Sequence, residues 1–182
     1  HLQGSARIDG SGAVTITDGP AKGSYSCAQI LIATGSHASS LPGIEIDEKR
    51  IVSSTGALEL PKVPKKLVVI GAGYIGLELG TVWARLGASV EVIEYAPRIL
   101  PGMDAEIAKK FMAIAKKQGL DFRLGAAVKS AKASKSGVTL TIEPATGGDS
   151  ETIKADVALV AVGRHPATDG LGLEAAGIAV NE

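Results

Sequence analysis

The sequence contains little cysteine and has no excess of charge of either sign. Cys27 is the single cysteine among 182 residues, so this chain alone cannot form an intrachain disulfide or a cysteine-based zinc site. Nineteen basic residues balance nineteen acidic ones, and the formal net charge is zero. This balance gives no electrostatic reason to expect nucleic acid or an anionic membrane as a partner. We therefore expect neither.

Long apolar runs are also missing. No apolar stretch approaches the ~18 uncharged residues that a membrane-spanning helix needs. The first residues, HLQGSARIDG, lack the basic-then-apolar order of a signal peptide. These absences predict a cytoplasmic protein, or one of the mitochondrial matrix if the source is eukaryotic. Hydrophobic residues make up 45% of the chain, which is enough for a globular protein of one or two domains.

The stretch KKLVVIGAGYIGLELG, residues 65–80, opens a strand–helix–strand unit. Residues 67–71 form an apolar run typical of a parallel strand that is buried on both faces. A helix is expected over residues 74–86, followed by a stop at Gly87. Residues 88–95 then read as the next strand, reached by a right-handed crossover. The predicted core positions of the helix have helical spacing: Ile75, Leu79, Val82 and Leu86.

The pattern continues as βαβαβ and then changes. Asp104 is the expected cap of a second helix, whose core face is Ile107, Phe111 and Ile114 and whose end is Gly119. LDFRL reads as a strand, and VKSAKAS, GVTLTIE and ETIKA read as an antiparallel meander. DVALVAVGRH should rejoin the parallel sheet and end at a glycine. The sequence thus predicts a Rossmann-like α/β fold with an inserted β-meander, in which Trp83 and Phe111 are packing residues.

Two parts of the chain resemble each other. Residues 11–17 and 28–37 mirror residues 136–142 and 156–165, and such a repeat bears directly on the fold. The comparison predicts a buried strand at 28–37, with Cys27 as an inert core thiol and with His37 and His165 in equivalent loops. The glycine-rich GAGYIG precedes only the second copy. We therefore expect a second nucleotide-binding half before His1, in a longer parent protein.

The glycine turn predicts a dinucleotide site. Gly71 permits the tight turn, Gly73 lets the backbone approach a pyrophosphate, and Gly76 allows close packing of helix on strand. The phosphates would lie at the helix N-terminus, where amide groups and the dipole favour an anion. Glu94 ends the next strand, about 20 residues further on, where an acid can accept hydrogen bonds from the adenosine ribose. A carboxylate there opposes the 2′-phosphate of NADP and favours NAD.

Two further charged residues allow more than one interpretation. Arg98 could neutralise a 2′-phosphate, but it is more simply interpreted as a solvated or ion-paired loop residue. Glu78 lies in the first turns of the helix, so it is either a cofactor neighbour or a glutamate that stabilises the helix dipole.

Long segments of the sequence resemble one known family. ILIATGSHASSLPGI, VVIGAGYIGLELGTVWARLGASVEVIE, PRILPGMDAEIAKK and VALVAVGRHPATDGLGLE are similar to the central segment of the dihydrolipoamide dehydrogenase family, within the flavin-dependent disulfide oxidoreductases. The resemblance implies a homodimeric parent that binds FAD and NAD. It also implies the reaction: reoxidation of dihydrolipoamide on lipoyl carrier domains of 2-oxo acid dehydrogenase and glycine cleavage complexes.

The resemblance also implies roles for particular residues. Glu94 would hold the ribose, Val128 would lie against the adenine, and Gly163 would approach the nicotinamide ribose. Thr34, Gly35 and Ser36 would mark the return to the FAD. The NAD pyrophosphate turn would comprise Gly71, Ala72, Gly73, Tyr74, Ile75, Gly76, Leu77 and Glu78. The implied domains are residues 1–48, part of an FAD domain; 49–166, the NAD domain; and 167–182, a return towards the FAD domain.

The sequence departs from the family pattern in its redox parts. The Cys-x₄-Cys pair, the FAD glycine turn and the His-Glu acid/base pair are absent from these residues. We therefore expect the chain alone to bind NAD(H) without catalysis, and assign it no catalytic residue and no metal. Two alternatives remain: another member of the same group, such as a soluble transhydrogenase, glutathione reductase or mercuric reductase, or a non-catalytic nucleotide-binding module.

Overall fold

A computed structural model describes residues 1–10 and 12–181. Ser11 of the predicted strand 11–17 and Glu182 of the predicted return segment 167–182 lie outside the described residues. The chain forms two compact units: His1–His37 with His165–Glu182, and Ala38–Arg164. The domain boundaries expected from the sequence, after residues 48 and 166, stay a prediction.

The elements follow one another from strands to an α/β region, a meander and two last strands. The strands are β1 Ala6–Ile8, β2 Ala13–Ile16, β3 Gly23–Ser26, β4 Ser36–Ala38, β5 Ile51–Val52, β6 Lys66–Ile70, β7 Ser89–Glu94, β8 Leu120–Leu124, β9 Ala126–Ser134, β10 Gly137–Pro144, β11 Glu151–Ala155, β12 Val157–Val160 and β13 Arg164–Pro166. The helices are α1 Ser54–Leu58, α2 Tyr74–Arg85, α3 Ala105–Lys117 and a 3₁₀ turn at Leu173–Ala176. No helix of the described residues has the length and apolarity that a membrane crossing requires.

The larger unit is built on a five-stranded parallel sheet in the order β5-β12-β6-β7-β8. Side chains of β6 alternate between two cores: Leu67 and Val69 pack on the helix side, whereas Val68 and Ile70 pack on the other. Both faces are therefore covered, as a continuous apolar run predicts. The predicted βαβαβ unit and the return of the chain at β12 are confirmed.

The second face of the sheet is covered by the meander. Strands β9, β10 and β11 pair antiparallel, so that Thr139 lies opposite both Lys132 and Lys154. Buried residues of β10, among them Leu140 and Ile142, pack in the same core as Ile70. The inserted meander is confirmed, and the α/β fold class with it.

The predicted core face of α2 is wrong in part, although Leu79 is partly buried against the helix-side core. Val82 and Leu86 are about half exposed, while the buried positions are Gly76, Leu77, Gly80 and Trp83. The helix is apolar on two adjacent faces, and its two glycines select the face that approaches the sheet most closely. Trp83 is confirmed as a packing residue.

The same effect appears in α3. Asp104 caps the helix as predicted, accepting hydrogen bonds from the Glu106 and Ile107 N–H groups. However, Ile107 and Ile114 are 53% and 52% exposed, whereas Ala108 and Ala115 are buried. Small residues face the sheet, and the larger isoleucines point outward. Phe111 is partly buried against the helix-side core, in agreement with its predicted packing role.

The smaller unit contains an antiparallel sheet in the order β1-β2-β3, so β2 is a meander strand as the repeat predicted. The buried strand expected at 28–37 is wrong: residues 28–35 form no strand, and Leu31 is 90% exposed. A buried strand needs neighbours to pair with, and no described strand pairs with residues 28–35. Cys27 is consequently half-buried rather than a core thiol.

The two histidines lie in paired strands. Strands β4 and β13 form a two-stranded sheet that contains His37 and His165, so their predicted placement in loops is wrong. The centroids of the two imidazole rings are 5.8 Å apart. Pairing brings together the two positions that the repeat identified as equivalent.

A charged cluster spans the parallel sheet next to these cores. The Glu91 carboxylate on β7 pairs with the Lys66 ammonium at 2.9 Å and with the Arg123 guanidinium at 2.9 Å. Arg123 also pairs with Glu151, and the Glu91 side chain is only 16% exposed. Burial raises the pKa of Glu91, but the hydrogen bonds and charges of Lys66 and Arg123 outweigh it, so that its pKa lies below the ordinary value.

Replacing Glu91 by glutamine should destabilise the fold in a pH-dependent way. We expect a loss of about 1–3 kcal/mol in the free energy of unfolding at pH 7, because two partly buried cations lose their partner. When the pKa of a carboxyl group is lower in the folded state than in the unfolded state, its contribution to stability is complete above the unfolded-state pKa. That contribution is lost as the pH falls through the folded-state pKa. Urea unfolding of wild type and Glu91→Gln at pH 7 and pH 3.5 should therefore show the difference shrinking at low pH.

Glu106→Gln is the matched control. Glu106 pairs with Lys110 on α3, and both side chains are more than two-thirds exposed, so its loss should change the free energy of unfolding by less than about 0.5 kcal/mol. If the difference in free energy of unfolding between wild type and Glu91→Gln is the same at both pH values, the proposed link between the pKa of Glu91 and stability is wrong.

Candidate functional site

A cavity of about 430 Å³ lies at the carboxyl ends of the parallel strands. It is lined by residues that follow β6, β7 and β12 and by the first residues of β9. The chain runs from β6 to β7 and β8 on one side, and β12 lies on the other side of β6. Open α/β sheets bind ligands at the carboxyl ends of the strands where the strand order reverses in this way. The lining residues are Leu41, Ile70, Gly71, Gly73, Tyr74, Ile75, Ile93, Glu94, Tyr95, Pro101, Ala126, Ala127, Val128, Ala161, Val162, Gly163 and Arg164.

The three glycines of the turn differ in how closely other protein atoms approach them. Gly71 has φ +102°, and a methyl group on it would lie 2.5 Å from the Ala161 carbonyl oxygen. A methyl group on Gly76 would overlap the Gly71 carbonyl oxygen and lie 3.0 Å from Val69. At Gly73 a methyl group would meet no protein atom within 4 Å. Protein packing therefore explains Gly71 and Gly76, whereas Gly73 faces open space in the cavity.

The N-terminus of α2 opens at this turn. Gly73 is the N-cap residue with extended backbone angles, φ −75° and ψ 177°, and no side chain caps the helix. The first N–H groups of a helix have no intrahelical acceptor. Together with the dipole they form a site suited to an anion such as a phosphate.

Glu94 is bound to this turn. Its Oε2 accepts a hydrogen bond from the Ala72 N–H at 2.7 Å, and its Oε1 accepts one from the Ala96 N–H at 2.8 Å. Each carboxylate oxygen has a second lone pair, so both remain able to accept a hydroxyl donor. The carboxylate lines the cavity and is held in place before any ligand arrives.

The loop after β7 closes over the same turn. The Leu100 N–H donates to the Ala72 carbonyl at 2.9 Å, and Leu100 has the unusual φ of +49°. The Arg98 guanidinium donates to the carbonyls of Met103, at 3.1 Å, and Pro101. Arg98 is therefore a loop residue, as interpreted, and its hydrogen bonds hold the loop that carries Pro101 to the cavity.

The predicted site residues divide into three groups. Gly71, Gly73, Tyr74, Ile75, Glu94, Val128 and Gly163 line the cavity. Ala72, Gly76 and Leu77 are buried behind its wall, and Glu78 is exposed on α2 without lining it. Thr34, Gly35 and Ser36 belong to the smaller unit and are exposed. The sequence missed Tyr95, Ala126, Ala127 and Arg164, although the position of Tyr95 directly after Glu94 was a usable signal.

The residues fit the two expected cofactors unequally. An uncapped helix, an open glycine and a fixed carboxylate in one cavity suit a nucleoside diphosphate. By contrast, the Thr34 hydroxyl donates to the Ala167 carbonyl at 2.7 Å, and the Gly35 carbonyl accepts from the Ala167 N–H at 3.0 Å. These groups bond to each other on an exposed segment, and the role of Thr34, Gly35 and Ser36 at an FAD stays a prediction. The described residues contain no cluster suited to a metal ion.

Comparison with known proteins agrees with this geometry. The profile of the pyridine nucleotide-disulphide oxidoreductase family matches residues 3–182. The chain belongs to this family. Its sequence is 52% identical over 178 residues to dihydrolipoyl dehydrogenase 3 of Pseudomonas putida, covering 97% of this chain and 38% of that protein. It is 57% identical over 149 residues to the mitochondrial dihydrolipoyl dehydrogenase of Pisum sativum, covering 82% and 30%.

A solved structure extends the similarity to the fold. The HOCl-induced flavoprotein disulfide reductase RclA from Escherichia coli superimposes with a TM-score of 0.84 at 31% identity, covering all of this chain and 40% of that one. The family resemblance inferred from the sequence is thus confirmed. This member of the family spans less than half the length of the relatives that it matches.

The packing of Gly76 generates a stability prediction. Gly76→Ala should lower the free energy of unfolding by about 3 kcal/mol, because its methyl group collides with backbone rather than with a mobile side chain. Gly80→Ala in the same helix is the control: its methyl group would lie no closer than 3.5 Å to Val90, Leu120 or Val69. Since alanine is the better helix former, this variant should be neutral or up to about 1 kcal/mol more stable. Equal urea midpoints for the two variants would contradict this account.

Proposed function

We propose that the chain is the NAD(H)-binding part of a dihydrolipoamide dehydrogenase. One observation carries the proposal: Glu94 is hydrogen-bonded to the glycine turn and lines the cavity at the helix N-terminus. Hydrogen-bond donors for a phosphate and an acceptor for the ribose hydroxyls are thereby held close together, as the adenosine half of a dinucleotide requires.

The order of the strands supports one direction for the bound ligand. Glu94 follows β7, the glycine turn follows the adjacent β6, and Gly163 follows β12 on the far side of β6. The adenosine ribose at Glu94, the diphosphate at the turn and the nicotinamide half towards Gly163 would then lie in line, with Val128 against the adenine. Glu78 is placed beside the nicotinamide only by the family resemblance.

The residues of this chain bind and orient the cofactor. The amide groups of the turn would hold the diphosphate, and the Glu94 carboxylate would accept hydrogen bonds from the ribose hydroxyls. The same negative charge would repel the 2′-phosphate of NADP. When bound, NAD supplies the hydride acceptor.

The activity of the whole protein follows as part of the proposal. Relatives named dihydrolipoyl dehydrogenase are 52% and 57% identical to this chain, which supports oxidation of dihydrolipoamide on a lipoyl carrier domain by a homodimeric flavoprotein of a 2-oxo acid dehydrogenase complex. Residues 49–166 would form the NAD domain, with residues 1–48 and 167–182 belonging to an FAD domain. The redox cysteine pair is not among these residues, so the chain alone should bind NAD(H) without turning over dihydrolipoamide.

Gly73→Ala tests the site without disturbing the fold. Its backbone angles are open to alanine, and its methyl group would contact only the cavity. We expect the free energy of unfolding to change by less than about 1 kcal/mol, the cost of alanine at a helix N-cap. NADH binding by isothermal titration calorimetry should weaken at least tenfold, equal to about 1.4 kcal/mol or more. Unaltered NADH affinity would remove the turn from the phosphate site.

Glu94→Ala tests the ribose acceptor. Loss of the carboxylate should weaken NADH binding by about 1–3 kcal/mol, the size of a lost charged hydrogen bond with its orphaned partner. It should also reduce the preference for NADH over NADPH, which a parallel NADPH titration would measure. Glu106→Ala, a carboxylate removed on the exposed face of α3, should leave both affinities unchanged. A wild-type chain that prefers NADPH would favour the NADP-dependent members of the family instead.

A further inference from the structure

Aromatic side chains are scarce in this protein, but most of its tyrosines lie at the cavity. The chain has one tryptophan, two phenylalanines and three tyrosines. Two of the three tyrosines, Tyr74 and Tyr95, line the cavity, and each is 67% exposed. An exposed ring beside an apolar cavity has a free π-face on which a planar ligand can stack.

The positions of the two rings differ. Tyr74 is the first residue of α2 and therefore lies at the helix N-terminus, where the diphosphate is expected. Tyr95 directly follows Glu94, whose carboxylate is the proposed ribose acceptor. A nucleobase is joined directly to its ribose, so the base of a nucleotide held at Glu94 lies within reach of Tyr95.

The lining of the same cavity also includes small apolar side chains. The first residues of β9 that line it, Ala126, Ala127 and Val128, have small apolar side chains. They can contact one face of a flat base, but they have few atoms and therefore contribute only weak dispersion attraction. An aromatic ring on the other face would supply most of the contact.

We propose that Tyr95 is the residue on which the purine base stacks. The proposal rests on the nucleotide-binding function proposed above and adds a binding residue to it. Stacking uses the ring and not the hydroxyl, so phenylalanine should replace tyrosine without loss. Stacking also tolerates any base, because every base has a π-face, so Tyr95 should contribute affinity without selecting adenine.

The test compares Tyr95→Leu, Tyr95→Phe and wild type in calorimetric titrations with NADH, ADP-ribose and reduced nicotinamide mononucleotide. Tyr95→Leu should weaken the binding of NADH and of ADP-ribose by the same factor, about tenfold. This factor lies in the lower part of the range of affinity losses for removing one base–aromatic stack. Tyr95→Phe should stay within twofold of wild type for all three ligands. The mononucleotide has no purine, so its affinity should not change in either variant. Nicotinamide hypoxanthine dinucleotide should show the same loss as NADH.

The outcomes separate this proposal from the one on which it rests. If wild type binds NADH and ADP-ribose and Tyr95→Leu binds them equally well, the stacking role is overturned while the nucleotide site stands. If the binding of the mononucleotide weakens by the same factor, the substitution has distorted the loop in general, and the stacking role is also overturned. If wild type binds none of these ligands, both proposals fall. Urea unfolding of Tyr95→Leu should match wild type, since the ring is largely exposed.

Discussion

The hydrogen bond from the Ala72 amide to the Glu94 carboxylate is the contact on which the site depends. It joins the turn after one strand to the end of the next strand at 2.7 Å, and the second carboxylate oxygen fastens the following loop through Ala96. One side chain thus positions the proposed phosphate site and the proposed ribose site together. This preorganisation matters because a ligand does not then have to order the loops at the expense of its own binding energy.

Close approach of helix to sheet is the second constraint, and it explains where sequence reasoning failed. Helical spacing correctly located α2 and α3, and Asp104 and Gly87 marked their ends. The spacing of apolar residues nevertheless predicts burial for Val82, Leu86, Ile107 and Ile114, which are all about half exposed. The buried positions instead include glycines in α2, beside Leu77 and Trp83, and alanines in α3, and these small residues allow the backbones to approach. The hydrophobicity of a helix does not indicate how closely its backbone approaches the sheet.

The candidate site was more predictable than the helix faces. The turn from Gly71 to Gly76, Glu94, Val128 and Gly163 could be named from spacing and resemblance, and the structure brings those that line the cavity to one edge of the sheet. The role of Arg98 could not be derived, because it depends on a loop conformation with Leu100 at positive φ. The exposed segment 28–35 was mistaken for a core strand, since its composition suits burial but burial also requires strands to pair with. An apolar composition favours a buried strand, but the strand forms only where a neighbouring strand supplies backbone hydrogen bonds.

The central claim is that a dinucleotide binds along the edge formed by β7, β6 and β12. Backbone amide NMR shifts of the isotope-labelled chain, recorded while NADH is added, test it most directly. The account predicts the largest changes at the amides of Gly73, Tyr74 and Ile75 and at residues 94–96, with smaller changes around Gly163. Changes confined to the smaller unit, or no changes at saturating NADH, would contradict it.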